Sequence, residues 1–304
     1  MKWIKRLKLK QLTLLIHLTE SGNLSETARK NHMTQPALSR WLKELEEDVG
    51  YELFERHPRG LTPTEAGNIL IARGKRILIE AERTQQDLND ISSGKSRTLI
   101  IGMSPAAAPH FVPKAAMHFL NENANVRLEI QENTMNRLIA DLKQGEIDLV
   151  VGRLDNYIPD GEMQSELLYH DPIRIVSRLN HPLTHKPKLQ WADLERYEWI
   201  VWPSGTPIRS RLDNALTAAG KQPPVYRVRS TSQVANLWLL QYTDMLSVAS
   251  KGVAEHFFQR GLLTELPIDL DIPDGAVGMV WRQQAEPDLL LDNLITCCRN
   301  AVER

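Results

Sequence analysis

Cysteine is nearly absent from this chain of 304 residues: only Cys297 and Cys298 occur, side by side near the C-terminus. Neighbours in sequence rarely bridge each other, so a disulfide framework is excluded and a reducing cytoplasm is the expected location. Long apolar runs are missing too. None approaches the roughly 18 residues that a membrane span needs, so no membrane partner is expected. The basic start MKWIKRLKLK leads into a short run, Leu12 to Leu18, interrupted by Thr13 and His17. No small-residue cleavage site follows it, and Leu9, Leu12 and Ile16 fit one face of an amphipathic helix better than a signal peptide. Repeats and low-complexity tracts are also lacking. A formal net charge of −1 makes the molecule neither a polyanion nor a polycation, while 42% apolar and 25% charged residues are ordinary for a soluble chain of two or three domains.

The average charge conceals a segregation. From Lys2 to Lys43 nine Lys or Arg face only two acids, Glu20 and Glu26. That excess reads either as a phosphate-facing surface or as a solvated basic face. Within it lies TQPALSRWLKELEEDVG, Thr34 to Gly50. A capping Thr34, Pro36 in the first turn and a terminal Gly50 predict a helix. Leu38, Trp41, Leu42, Leu45 and Val49 form its apolar stripe. The other face of the first two turns holds Gln35, Pro36, Ser39, Arg40 and Lys43, and acids begin only at Glu44. The helix dipole favours acids at an N-terminus, so their absence needs another cause. A helix whose N-terminal half enters the major groove supplies one, because phosphates repel acids there. Gln35 then suits adenine, Arg40 suits guanine or phosphate, Ser39 reaches either, and the Pro36 ring meets a thymine methyl.

The surrounding pattern fits that reading. A helix is predicted at about Lys10 to Glu20. A second covers about Glu26 to Asn31 behind a possible Ser25 cap. Pro58-Arg59-Gly60 marks a hairpin whose Arg56 and Arg59 would lie along the DNA backbone or minor groove. Residues 1–62 are thus a winged helix-turn-helix. From about Pro63 to Ile91, Leu70, Gly74, Ile77, Ala81, Thr84, Leu88 and Ile91 alternate by four and three, a narrow seam for pairing with another helix. Residues 63–94 are expected to be a dimerisation linker, the alternative being a helix lying on its own domain. From residue 95 strands alternate with helices, which predicts an α/β region with a mostly parallel sheet. Strands are expected at 98–102, 126–132, 147–152, 174–177, 199–202 and 246–250. The region is read as two lobes, lobe I at about 95–165 and 268–304 and lobe II at about 166–267.

The stretch from Asn23 to Gly67, NLSETARKNHMTQPALSRWLKELEEDVGYELFERHPRGLTPTEAG, resembles the N-terminal signature of the LysR-type transcriptional regulators. The match runs through Leu45, Glu46, Gly50, Leu53, Phe54, Arg56, Leu61, Thr62 and Gly67, with a basic stretch preceding the family's usual start. The resemblance implies a helix-turn-helix at about Leu24 to Lys43, with Ser25, Thr34, Gln35, Pro36, Ser39, Arg40, Lys43, Arg56 and Arg59 on DNA. It also implies a two-lobed sensor domain of the periplasmic-binding-protein-like type 2 kind. Expected partners are double-stranded promoter DNA carrying an interrupted palindrome, RNA polymerase, and further copies of the chain in a homodimer or homotetramer. No cofactor or metal is expected.

Several strands of the sensor end at a hydroxyl residue before a helix: Ser104, Thr134, Ser204 with Thr206, and Thr231. Each alone is an ordinary helix cap, but helix N-termini also bind anions. The resemblance places the effector between the lobes at Ser104, Thr134, Ser204, Thr206 and Thr231. Arg153 and Arg209 could pair with its carboxylate or be surface or hinge charges, and the expected effector is an organic or sugar acid. Three motifs hint at enzymes. GMSPA places Ser104 as in a nucleophile elbow, but Ala106 stands where the last glycine belongs. GKS at 94–96 lacks the earlier glycine of a P-loop. His181 and His185 have metal-ligand spacing but no third ligand. The rival readings are a solute-binding protein and a serine hydrolase using Ser104; no enzymatic activity is expected.

Overall fold

The computed structural model describes residues 3–58, 60–92, 97–105, 111–155, 157–268, 274–283 and 286–302, with backbone alone at 87 and 90–92. It divides into two compact units at Lys95 and Ser96.

The first unit runs α1 (Leu9–Ser21), α2 (Leu24–Lys30), α3 (Gln35–Val49), β1 (Phe54–His57), β2 (Gly60–Pro63) and α4 (Glu65–Ser92). The cap of α2 is Asn23, not Ser25. The Asn23 side chain accepts from the backbone N–H of Ser25 at 2.8 Å and of Glu26 at 3.1 Å, and asparagine in an extended conformation is among the strongest N-caps. Thr34 caps α3 as expected, accepting from Ala37 N–H at 3.3 Å. Leu38, Leu42 and Leu45 are buried, and Trp41 and Val49 pack beside them against α1. The wing is a two-stranded hairpin in which His57 pairs with Gly60.

Two contacts explain why the motif around the wing has its particular residues. Glu46 Oε1 accepts from the backbone N–H groups of both Leu53 (2.8 Å) and Phe54 (3.2 Å), tying α3 to the start of β1. At Gly67 a Cβ atom would lie 2.0 Å from the Leu53 carbonyl oxygen, so only glycine lets α4 pass this close to the wing. The 28 residues of α4 make it about 42 Å long. Its first half lies on its own unit: Ile71 is buried, Leu70 and Leu78 join the same core, and Gly74 abuts Leu12. Of the expected seam, Leu70 and Gly74 therefore face α1, whereas Ile77 and Leu88 are exposed. The Ile91 side chain lies outside the described residues, as does the whole GKS segment at 94–96.

The second unit opens with β3 (Thr98–Met103), α5 (Val112–Glu122), β4 (Arg127–Glu132), α6 (Met135–Gln144), β5 (Leu149–Arg153) and β6 (Met163–Asp171). It continues through β7 (Ile173–Arg178), a 3-10 turn (Pro182–His185), α7 (Trp191–Leu194), β8 (Glu198–Val201), α8 (Pro207–Ala218) and β9 (Val225–Arg229). It ends with α9 (Gln233–Tyr242), β10 (Leu246–Ser250), α10 (Lys251–Phe258), β11 (Leu263–Glu265), β12 (Gly275–Arg282) and α11 (Leu289–Val302). Two five-stranded sheets result, ordered β4-β3-β5-β12-β6 in lobe I and β11-β7-β10-β8-β9 in lobe II. The expectation of a mostly parallel sheet needs correction. Among the described residues four strand pairs are parallel and four antiparallel. The βαβ steps give parallel neighbours, but after the chain crosses between lobes β12 runs antiparallel to β5 and β6, and β7 antiparallel to β10 and β11. The first crossing is at Pro172, between β6 and β7, rather than at 165–166. Lobe I is cored by residues such as Leu99, Phe119, Met279 and Ile295, and lobe II by Trp199, Leu212 and Leu246.

Candidate functional site

The N-terminal half of α3 presents a polar, acid-free face. Thr34, Gln35, Pro36, Arg40 and Lys43 are exposed and Ser39 is partly so, while the buried stripe fixes the helix from behind. Lys43 makes only an exposed i,i+4 pair with Glu47 at 3.7 Å, and Arg40 has no carboxylate partner among the described residues. Ser25 and Arg56 are also exposed. Arg59 lies outside the described residues.

In the second unit, Ser104, Thr134, Arg153 and Thr206 line one narrow cleft with Pro105, Met135, Trp202, Pro207 and Ile208, with a free volume of about 30 Å³. Residues of β3, α6 and β5 meet the start of α8, so the cleft lies between the lobes. Thr134 and Thr206 are the N-cap residues of α6 and α8, and neither side chain caps its own helix. The Thr206 hydroxyl donates instead to the Pro203 carbonyl at 2.7 Å. Ser104 is buried and its Oγ has no hydrogen-bond partner; hence no histidine activates it as a nucleophile in this arrangement. Gln233 at the start of α9 donates across the cleft to the Pro105 carbonyl.

Arg153 is the charged centre of the cleft, 2% exposed. Its Nη2 donates to the Asp171 carbonyl at 2.9 Å and to Asp171 Oδ2 at 3.1 Å. Asp155 stands 3.8 Å from Nη1, yet Nε and Nη1 remain without a hydrogen bond. A Cβ on Gly275 would sit 1.7 Å from Nη1, so that glycine makes room for the guanidinium. Burial lowers the Arg153 pKa and raises that of Asp171, and the attraction between the two opposes both shifts. Arginine's starting value is so high that it stays charged. Beyond Arg153 a second space of about 210 Å³ opens, lined by Asn136, Lys143 and Tyr157.

Three of the residues expected here lie elsewhere. Ser204 and Thr231 are exposed and outside the cleft lining. Arg209 bonds Asp213 through Nε at 2.8 and 2.9 Å and stacks 4.1 Å above the Tyr226 ring, so a helix-stabilising pair consumes it. Ser232, not Thr231, caps α9. His181 is no metal ligand in waiting: its ring accepts from Leu183 N–H and meets the Asp244 carbonyl, both at 3.1 Å. No cluster of three metal-ligating side chains occurs among the described residues. Trp202, Ile208, Met135 and Gln233 were not foreseen; only their positions beside strand ends could have marked them.

Comparison with known proteins decides what carries these two features. The model of the bacterial regulatory helix-turn-helix protein, lysR family, matches residues 9–68, and that of the LysR substrate binding domain matches residues 92–303. The chain belongs to the LysR family. It is a DNA-binding transcriptional regulator with an effector-binding domain. This LysR regulator is 30% identical over 277 residues to the HTH-type transcriptional regulator GbpR of Azospirillum brasilense, covering 91% of this chain and 81% of that one. It is 28% identical over 293 residues to GalR of Pseudomonas putida, covering 96% and 74%. The fold of full-length CbnR complexed with its target DNA superposes with a TM-score of 0.65 at 19% identity, covering 97% of this chain and all of that one. Full-length BenM superposes at 0.54 with 20% identity, covering 97% and 96%.

Proposed function

We propose that this regulator reads an interrupted palindrome in promoter DNA through paired α3 helices, and that a small organic or sugar acid held between its lobes switches it. The observation that carries the effector reading is Arg153, a buried cation whose Nε and Nη1 make no hydrogen bond. Beside it stand the unpaired Ser104 hydroxyl and the first turns of α6 and α8. Such donors favour a carboxylate over a neutral ligand. Isothermal titration of the purified protein against sugar acids, aromatic acids and their neutral alcohol counterparts tests this. Acids alone should bind, and Arg153→Lys should weaken them at least tenfold, because the ammonium loses the planar fork. Binding confined to neutral compounds would refute the anion.

On DNA, Gln35, Ser39 and Arg40 contact base edges, Pro36 a thymine methyl, and Ser25, Thr34, Lys43, Arg56 and Arg59 the backbone. Arg40→Ala should cost about 1–3 kcal/mol and relax specificity at one base pair, whereas Lys43→Ala should weaken all sequences alike and lower the salt slope by about one. Footprinting across a salt series separates the two. The exposed Ile77 and Leu88 of α4 serve a homodimer contact, two such dimers forming the tetramer. The altered assembly recruits RNA polymerase in the cytoplasm, with no enzymatic step. A wild-type gel shift retained by Gln35→Ala and Arg40→Ala together would overturn the reading helix.

A further inference from the structure

The interlobe cleft and the space beyond it differ sharply in room. Around Ser104 and Thr206 the free volume of about 30 Å³ takes about one or two waters. A carboxylate fits there, but the body of an acid does not. The adjoining space holds about 210 Å³, more than the roughly 150 Å³ in which an apolar cavity takes up benzene. Met135, Arg153 and Pro207 line both, so the two meet at the guanidinium.

Helix α6 builds the long wall of this space. Met135, Asn136, Ile139 and Lys143 all line it, and their spacing puts them on one face of the helix. From Met135 to Lys143 is a little over two turns, roughly 12 Å. The space is therefore a groove along α6, and its chemistry changes from end to end. At the inner end stands Arg153, buried, with Nε and Nη1 making no hydrogen bond. Met135, Ile139 and Pro207 supply apolar surface beyond it. Asn136 and Lys143 are exposed, and α6 packs on its lobe through Leu138 and Leu142 instead. At the outer end Lys143 pairs with Asp160 at 2.5 Å. That pair presents a donor and an acceptor together, and so does the Asn136 amide. A hydroxyl both donates and accepts, so it matches each of them. A second carboxylate would have to displace Asp160 from Lys143. A plain hydrocarbon tail would cover these polar groups without replacing the water they bind.

We propose that the effector is a polyhydroxy acid of five or six carbons, an aldonate, lying along α6. Its carboxylate meets Arg153, its chain crosses Met135 and Ile139, and its hydroxyls bond Asn136 and the Lys143–Asp160 pair. An extended chain suits a groove of this length better than a compact ring does. The inference rests on the reading of Arg153 as the partner of a carboxylate, and narrows it in two respects. The body of the effector lies outside the cleft, and Asn136 and Lys143 determine specificity.

Full-length protein with labelled isoleucine methyls tests this, titrated with the aldonate stereoisomers of five and six carbons, with hexanoate and with benzoate. Ile139 lines the groove but not the cleft, and Ile208 the cleft but not the groove, so the two methyls report separately. At least one aldonate should shift Ile139 saturably and bind about tenfold more tightly than hexanoate. Asn136→Ala and Lys143→Ala should each weaken that aldonate by about three- to tenfold and leave hexanoate unchanged. Both side chains are exposed, so the melting temperature should hold. Shifts confined to Ile208 would put the ligand in the cleft and overturn the groove. Hexanoate or benzoate binding as tightly as the best aldonate would overturn the polyhydroxy class while leaving the acid reading of Arg153 intact. An unchanged aldonate-to-hexanoate ratio in both variants would remove Asn136 and Lys143, and the class with them. Failure of every acid to move either methyl would sink the acid reading and this inference together.

Discussion

Single side chains differ in how openly they declare their work. The face of α3 proposed to read DNA stands out in the sequence because it breaks a rule: acids are missing where the helix dipole welcomes them. Arg153 stands out as the end of an apolar strand, but its unsatisfied Nε and Nη1 and its Asp171 partner appear only when β5 and β6 flank β12 in one sheet. Arg209 carries the same charge in the first turn of α8, yet an aspartate one helical turn on takes it. Glu46 sits in an acidic run that suggests plain solvation. Its carboxylate instead holds two backbone N–H groups at the start of the wing. Glu46→Ala should lower stability by about 1–3 kcal/mol, read from urea unfolding, because both donors lose their partner; Glu46→Gln, which keeps an acceptor, should lose less. His181 gives a pH signature. Its ring is fully enclosed, and burial lowers its pKa, with the Asp244 carbonyl opposing. The unfolded chain takes a proton near pH 6.5 or about that value, while the folded chain resists it. As pH falls through that point the unfolded state binds more protons, so stability drops. His181→Asn should flatten the fall in melting temperature between about pH 7 and 5; an equally steep fall in both proteins would contradict this account.

At the scale of elements, periodicity carried most of the fold. The helices of the first unit fall within a few residues of expectation. The strands that escaped are β6, β11 and β12. The seven central residues of β6 are exposed or half-exposed, polar Gln164, Ser165 and Glu166 preceding Leu167, Leu168 and Tyr169, with no strict alternation, and β12 contains two glycines, Gly275 and Gly278. Both pair with partners distant in sequence, a relation that no local window records. The same limit explains the overestimate of parallel pairing. For α4, a seam of fours and threes fits either a partner helix or its own unit. The structure divides it, with Gly74 against Leu12 and Ile77 outside. Gly67 supplies the element-scale prediction. Gly67→Ala forces a methyl into the Leu53 carbonyl, so α4 must shift away from the wing. An overpacking loss of about 1–3 kcal/mol is expected, measured by thermal unfolding, with weaker DNA binding as the wing moves. Unchanged stability would mean that the contact is slack.

Across the whole sensor unit the decisive feature is a chain of charges that links the lobes. Asp155 follows β5 in lobe I, accepts from Ala276 N–H at 2.9 Å, and pairs with Arg211 of α8 in lobe II. Arg153 stands between Asp155 and Asp171, and Asp171 closes β6 at the crossing while accepting from Gly252 N–H at the start of α10. Side chains at this junction are nearly all shielded, with Asp155 7% and Arg211 18% exposed, so solvent screens these attractions less than it would a surface pair. The chain therefore acts as a latch, and a carboxylate placed on Arg153 would enter the same electrostatic balance that holds the lobes. The sequence pattern marks Arg153 as a possible hinge charge, but its pairing with Asp171 and the bridge from Asp155 to Arg211, 56 residues on, join separate elements that no local window records. Arg211→Met removes the bridge while leaving Asp155 with Arg153 and Ala276, so the fold should survive at a cost of about 1–3 kcal/mol. Hydrogen exchange of the backbone around 274–278 should then quicken in the full-length protein, since opening between the lobes becomes easier. Combined with Asp155→Asn, the two losses should fall short of additivity by at least about 0.5 kcal/mol, as they do for residues in direct contact. Additive losses with unchanged exchange would reduce the bridge to a passive contact and leave closure to the apolar walls of the cleft alone.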